Sequence, residues 1–253
     1  MFAKKSFGQH FLHNKHVLEK IAALIAATPG DYLLEIGPGK GALTRYLKNL
    51  KANFIAVEAD RDMQDYLLQH DLLSEDQLIK QDILKLDFKD VFDAHPFVLC
   101  GNFPYNISSQ IIIKTLENAD RIPCMIGMFQ KEMAMRIISP PGSKEYGGLS
   151  VITQLLYHTK KCFEISPSSF SPPPKVISSV LQLTRRQDAI SNTTYHAVQK
   201  LVRQSFQYRR KTLRNNLKSY VQNQELLQEP FFDRRPEELA PEEYIQLLER
   251  IFI

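Results

Sequence analysis

The segment Gly101-Asn102-Phe103-Pro104-Tyr105 follows the short apolar run 97–100. Pro104 steers Phe103 away from helical geometry, so an extended, rigid turn is expected at the carboxyl edge of a strand. Such a turn can aim acceptors outward. The side-chain oxygen of Asn102 and the carbonyl of Phe103 could each take one hydrogen of an amino group, while Tyr105 offers a stacking surface. An adenine N6 amine suits that template. Its lone pair is delocalised into the ring, and two acceptors that favour a pyramidal nitrogen would make it a better nucleophile without any strongly basic side chain. Taken alone, the same residues would also describe a proline turn with a core tyrosine.

A second constellation stands upstream. Residues 33–43 read LLEIGPGKGAL, an apolar strand pattern that runs into a glycine-rich turn and then a helix. Glycines allow close backbone approach to a ligand, and a following helix start offers unpaired N–H groups. The spacing is G-x-G-x-G. It is neither the dinucleotide fingerprint nor a phosphate loop, so the loop alone could be no more than a tight strand-to-helix turn. Glu58, 21 residues after Gly37, ends the next apolar run, where an acid can accept from both hydroxyls of a ribose. Asp82 ends the third run and could receive an exocyclic adenine amine. Either acid alone would pass as a surface or capping residue; successive strand ends carrying glycines, Glu58 and Asp82 describe one crevice for a nucleotide-like cofactor.

The elements that must position these groups follow from periodicity. Residues 16–27 have helical spacing and stop at Thr28-Pro29-Gly30. Apolar runs at 32–36, 54–57, 78–80, 97–100 and 124–129 are expected to be strands buried on both faces. Helical patterns between them, at 42–50 and 61–70, give a βαβα rhythm and hence a mostly parallel sheet. After a break at 139–148 and a helix over 149–158, two more strands are expected at 162–165 and 176–183, forming an antiparallel hairpin at the sheet edge. From about residue 186 the strand signal ends. Helical spacing at 191–221 and 241–252, broken at Asn215-Asn216 and Glu229-Pro230, places a small helical domain at 186–253 behind an α/β domain at 1–185.

Composition limits the function classes. The chain has 253 residues, 43% of them hydrophobic and 24% charged, which fits a folded chain and excludes disordered or collagen-like classes. No apolar stretch reaches the length of a membrane span, and the start lacks the apolar core of a signal peptide. Cys100, Cys124 and Cys162 are widely spaced, which argues against a disulfide framework and fits a reducing cytosol. His10, His13 and His16 drift around a helix with no acid or cysteine among them, so no metal site is expected. No hydrolase motif is present. Charge is unevenly placed: residues 58–93 carry eleven acids against four Lys/Arg, and residues 185–218 carry nine Lys/Arg against Asp188. Arg209-Arg210-Lys211, with Arg203, Arg214 and Lys218 nearby, suits contact with a phosphate backbone, although a solvated helix face would look the same.

Six ordered motifs extend these readings across the whole chain. Ser6 to Leu12 (SFGQHFL), Glu35 to Gly41, Asn102 to Tyr105, Lys144 to Val151 (KEYGGLSV), Phe170 to Val176 (FSPPPKV) and Arg209 to Arg214 (RRKTLR) together resemble the ribosomal RNA adenine N6,N6-dimethyltransferases, and within them the small-subunit, kasugamycin-resistance branch. The resemblance implies a Rossmann-like class I methyltransferase domain with a seven-stranded sheet, S-adenosylmethionine as methyl donor, and two adjacent adenosines of the 3′-terminal small-subunit rRNA hairpin as targets. It implies that His10 and Leu12 contact the cofactor, Gly37 and Gly39 lie beside its methionine part, Glu58 takes the ribose and Asp82 the adenine. Asn102 would touch donor and target, and Phe170 would cover the target base opposite Tyr105. Lys175, Arg203, Arg209, Arg210, Lys211 and Arg214 would contact RNA. Many members carry Asn at the position of His10 and Leu at that of Phe103. A cytoplasmic monomer with the small ribosomal subunit as partner is expected. The competing readings are a large-subunit adenine methyltransferase of the macrolide-resistance type, a ribosome-assembly checkpoint or nucleic-acid binder with vestigial catalysis, and a nicotinamide-dependent oxidoreductase, which the glycine spacing disfavours.

Overall fold

In a computed structural model, which describes residues 9–252, the apolar runs become strands. These are β1 (Phe11–Leu12), β2 (Tyr32–Ile36), β3 (Asn53–Val57), β4 (Leu78–Ile79), β5 (Val98–Asn102), β6 (Cys124–Gln130), β7 (Tyr157–Ile165), β8 (Phe170–Ser171) and β9 (Ser178–Arg185). The α-helices are α1 (Lys15–Ala26), α2 (Thr44–Leu47), α3 (Arg61–Gln69), α4 (Ser108–Glu117), α5 (Lys131–Ile138), α6 (Gly148–Leu156), α7 (Asn192–Ser205), α8 (Leu213–Leu217) and α9 (Pro241–Phe252). Asn14 caps α1 by accepting from Val17 N at 3.2 Å, and Asp60 caps α3 in the same manner through Asp62 N.

Seven strands form one sheet in the order β4-β3-β2-β5-β6-β9-β7. The pairs from β4 to β6 are parallel and β9 runs antiparallel to β6. Leu33, Leu34, Leu99 and Cys100 are fully buried, as strands covered on both faces require. The chain builds outward from β2 through β3 to β4, then returns to lay β5 and β6 on the other side of β2. Neighbouring β2 and β5 therefore form a topological switch point, outside whose carboxyl ends ligands bind in open α/β sheets. Ile36 pairs with Gly101 there, so the glycine loop after β2 and the Asn102 turn after β5 emerge side by side.

Contacts divide the chain into two units, one running to Ala134 and resuming at Lys160–Arg185, the other made of Met135–Thr159 and the residues from Arg186 onward. One boundary between the units falls at Arg185/Arg186. Residues 135–159, expected in the α/β domain, belong instead to the helical unit, because α6 packs against α7 and α9. Fully buried Tyr146 and Tyr244 fill that core and donate to the carbonyls of Leu239 and Pro236 at 2.8 and 2.7 Å. Asn215-Asn216 is not a break. Both residues lie inside α8, and Asn216, 2% exposed, uses its side chain to hold the turn before it. The helix expected over 149–158 ends at Leu156, where extended backbone begins.

Candidate active site

Asn102 closes β5, and its Nδ2 donates to the His10 carbonyl at 2.8 Å. A carbonyl can only accept, so this contact fixes the amide with Nδ2 toward residue 10 and leaves Oδ1 as the acceptor the site presents. Phe103, 1% exposed, anchors the turn from below, its ring edge-on to Phe129 at 5.2 Å. Gly127 of β6 makes room for that ring: a Cβ at 127 would meet it at 2.0 Å. The Tyr105 hydroxyl shares a 2.5 Å hydrogen bond with the Ser178 hydroxyl. Burial pushes the Tyr105 phenol up, with Ser178 acting the other way, so the ring is a neutral stacking surface.

Asn102, Phe103, Pro104 and Tyr105 line a cavity of ≈ 280 Å³ together with His10, Leu12, Gly37, Gly39, Glu58 and Asp82. Every cofactor-binding residue expected from the sequence is thus gathered around one space. Gly39 has φ +55°, and a Cβ there would meet the Phe11 ring at 3.0 Å, so the loop requires glycine at this point. Gly39 N donates to Glu58 Oε2 at 3.1 Å and Asp60 N to Glu58 Oε1 at 2.9 Å. Burial raises the Glu58 carboxyl, while these backbone donors oppose the shift. Asp82 accepts from Leu84 N at 2.9 Å, which orients its carboxylate at the cavity wall.

Sequence reasoning missed two residues of the site. Glu35, 2% exposed, also lines the cavity; its carboxyl is pushed up to about 8, mainly by burial, and its Oε2 has no hydrogen-bond partner. An acid placed two residues before the first glycine of a buried strand was the available signal. Asp60, 1% exposed, accepts from the Gln9 side chain at 2.8 Å and ties the N-terminal segment to the Glu58 corner. No sequence pattern links positions 51 residues apart in this way.

The N-terminal segment is fixed by a two-stranded sheet, β1 with β8, in which Phe11 pairs with Ser171 and Leu12 with Phe170. His13 N adds a bond to Ser169 O at 2.9 Å. His10 Nδ1 donates to Pro172 O at 2.8 Å, and its ring stacks on Tyr105 with centroids 5.5 Å apart. Residues 6–8 of the motif lie outside the described residues. Phe170 is buried. Side chains alternate along a strand, and in β8 Ser171 takes the exposed side while Phe170, 2% exposed, joins the core with Leu12, Ile165 and Val180. It does not line the cavity.

The expected RNA-contacting cations divide by environment. Lys175, Arg203, Arg210 and Lys211 are exposed. Arg209 is exposed as well, but its Nη2 donates to the carbonyls of Lys144 and Tyr146, the latter at 2.7 Å. Arg214 donates to Leu227 O at 2.7 Å and pairs with Asp233 at 2.9 Å. Both arginines hold the helical unit together.

The described residues contain no group of three or more His, Cys, Asp or Glu gathered for a metal ion, and no helix long and apolar enough to cross a membrane. All three cysteines are free thiols.

Known proteins share this architecture. A solved dimethyladenosine transferase from Plasmodium falciparum superposes with a TM-score of 0.77 at 27% identity, over 94% of this chain and 96% of that one. The 23S rRNA methyltransferase ErmE gives 0.69 at 22% identity, over 95% and 99%, a likeness of fold. In sequence, the chain is 43% identical to the ribosomal RNA small subunit methyltransferase A of Flavobacterium johnsoniae, over 98% of this chain and 95% of the relative. Its counterpart in Bacteroides fragilis is 42% identical over 98% and 92%. The family described as ribosomal RNA adenine dimethylase matches residues 2–249, and the chain belongs to that family.

Proposed function

We propose that the protein transfers methyl groups from S-adenosylmethionine to N6 of two adjacent adenosines in the 3′-terminal hairpin of small-subunit rRNA, giving N6,N6-dimethyladenosines during small-subunit biogenesis. The observation that carries this reading is the Asn102 amide, pinned through Nδ2 at the wall of the glycine-loop cavity, which keeps Oδ1 for accepting a hydrogen bond.

The cavity suits the cofactor. A glycine cradle that side chains would fill, two carboxylates at successive strand ends, and the unpartnered Glu35 Oε2 supply polar groups where an adenosyl and an amino-acid moiety need them. Gly37 and Gly39 would hold the amino-acid end with Glu35 beneath, Glu58 the ribose hydroxyls, Asp82 the adenine amine, and His10 and Leu12 the mouth. When bound, S-adenosylmethionine supplies an electrophilic methyl group on a sulfonium centre.

The protein's own groups act on the amine. Asn102 Oδ1 and the Phe103 carbonyl accept its two hydrogens and favour a pyramidal nitrogen with an available lone pair. Tyr105, held by Ser178 and backed by the stacked His10, carries the base. The target must be unpaired or flipped to arrive there, and stacking offsets part of that cost. Once methylated, the nitrogen loses its surplus proton to water, so no basic side chain and no metal is required. Dimethylation adds a geometric demand, since one hydrogen remains for two acceptors in the second round. Exposed Lys175, Arg203, Arg210 and Lys211 contact phosphates, with Arg209 and Arg214 shaping the helical unit that bears three of them. This reading places a monomer in the cytoplasm with the small subunit as partner.

The test is transfer of labelled methyl groups to small ribosomal subunits from a strain lacking the modification, with large subunits in parallel. Label on small-subunit RNA, recovered as N6,N6-dimethyladenosine, is expected. Label on large-subunit RNA instead would select a macrolide-resistance type of activity.

A further inference from the structure

Tyr208 stands out in the helical unit as a large ring left 60% exposed. Single exposed hydrophobic side chains are common and by themselves mean little. Here, however, the backbone beneath the ring is fixed. Tyr208 N donates to Asn216 Oδ1 at 3.0 Å, and Tyr208 O accepts from Asn216 Nδ2 at 3.2 Å and from Lys211 N at 2.9 Å. Asn216 is itself buried, and its carbonyl receives Gln204 Nε2 at 2.8 Å. The next residue, Arg209, is tied down through the carbonyls of Lys144 and Tyr146. The buried Asn216 amide and the surface guanidinium of Arg209 therefore hold the turn in place while the aromatic face meets water.

The electrostatic setting is equally specific. Arg210 and Lys211 follow Arg209 and are exposed, Arg203 of α7 and Lys218 just past α8 are exposed too, and no Asp or Glu occurs from residue 189 to residue 224. Of the acids outside that segment, Glu145 lies between the two residues whose carbonyls hold Arg209, and Asp233 is paired with Arg214. A π-face set among cations, with no carboxylate in the segment to repel phosphates, combines the two features used to bind single-stranded nucleic acid: stacking of bases and an electrostatic grip on the backbone.

We infer that Tyr208 is a stacking platform for an unpaired RNA base, with Arg210 and Lys211 on the adjoining phosphates; this rests on the RNA-directed reading above and adds a second base contact outside the catalytic cavity. Because every base has a π-face, the contact selects unpaired structure rather than sequence. It recognises loops or bulges and is silent toward continuous duplex.

The chain has no tryptophan, so Tyr208→Trp installs a single indole at the proposed platform. Titration of this full-length variant with a hairpin RNA bearing an unpaired loop should quench its emission, and a fully paired duplex of equal length, at equal occupancy, should not. Tyr208→Ala should weaken hairpin binding roughly fivefold to tenfold, at the lower end of base–aromatic stacking, and leave the salt dependence unchanged because no charge is lost. Tyr208→Phe should bind as the wild type does. Since the ring is exposed, the melting temperature of all three variants should match wild type, which separates loss of contact from loss of fold. Wild-type affinity in Tyr208→Ala, or equal quenching by hairpin and duplex, would overturn the inference while leaving the methyltransferase reading in place. A wild-type protein that neither binds the hairpin nor labels small subunits would overturn both.

Discussion

The cofactor corner and the basic turn after α7 are built on opposite plans. Around the cavity, functional groups are buried and bonded to one another: Glu58 joins Gly39 and Asp60, Asp60 joins Gln9, and Asn102 joins His10. In the basic turn the ties run through backbone and through Asn216 and Arg209, while Tyr208, Arg210 and Lys211 point to solvent. The first plan suits chemistry, which needs groups held before the substrate arrives. The second suits a charged, variable surface, where fixing every side chain in advance would hinder fit. Stability and function should therefore be coupled in the first region and separable in the second.

The comparison can be broken first at Gly127, where added bulk must displace the Phe103 ring beneath the Asn102 turn. Gly127→Ala should cost about 3 kcal/mol in denaturant unfolding and lower methyl transfer with it; a variant as stable as wild type would show that the turn is not held from below. In the basic turn, Arg209→Ala should cost about 1–2 kcal/mol, because it strips charge-assisted bonds from two carbonyls. Arg210→Ala with Lys211→Ala should change stability by less than about 0.5 kcal/mol. The same pair should lower RNA affinity and make its log-log salt slope shallower by about 1.4, two phosphates of unpaired RNA at about 0.7 each. Equal stability losses for Arg209 and for the pair would erase the division between holding and presenting cations.

A further effect concerns pH. Glu35 is pushed up to about 8 in the folded chain against an ordinary value of 4.5, so between these values the folded state binds more protons than the unfolded one. Unfolding free energy must then fall as pH rises through that window, by at most about 1.4 kcal/mol per unit for one such group, with Glu58 adding in the same direction. Glu35→Gln should flatten the decline. A slope identical to wild type in guanidinium titrations at pH 5 to 8 would show that Glu35 carries its ordinary charge.

Much of this was legible beforehand because strands covered on both faces leave uninterrupted apolar runs. The run at 32–36 matches β2 residue for residue, and its end places Gly37 and Gly39. Asn102, Glu58 and Asp82 were found because each sits where such a run stops. Pairing of β1 with β8 left no trace, since strands of two residues carry no period. The burial of Phe170 was equally invisible: the resemblance supplied a role, and the pairing of its two-residue strand with Leu12 left no period to read. Charge alone could not separate Arg209 and Arg214 from their neighbours, because the carbonyls they hold belong to residues distant in sequence. Residues 135–159 were assigned by chain order, whereas packing of α6 on α7 and α9 assigns them to the helical unit.

The central claim is that the Asn102 amide, held by the His10 carbonyl, acts on the target amine and does little for RNA affinity. Single-turnover methyl transfer to small subunits by Asn102→Ala, with binding measured on the same preparation, tests it most directly. The account predicts transfer slowed by about 10²–10³, the usual cost of one preorganised polar group, with subunit affinity within about twofold of wild type. Transfer at the wild-type rate, or a loss of affinity that matches the loss of rate, would contradict it.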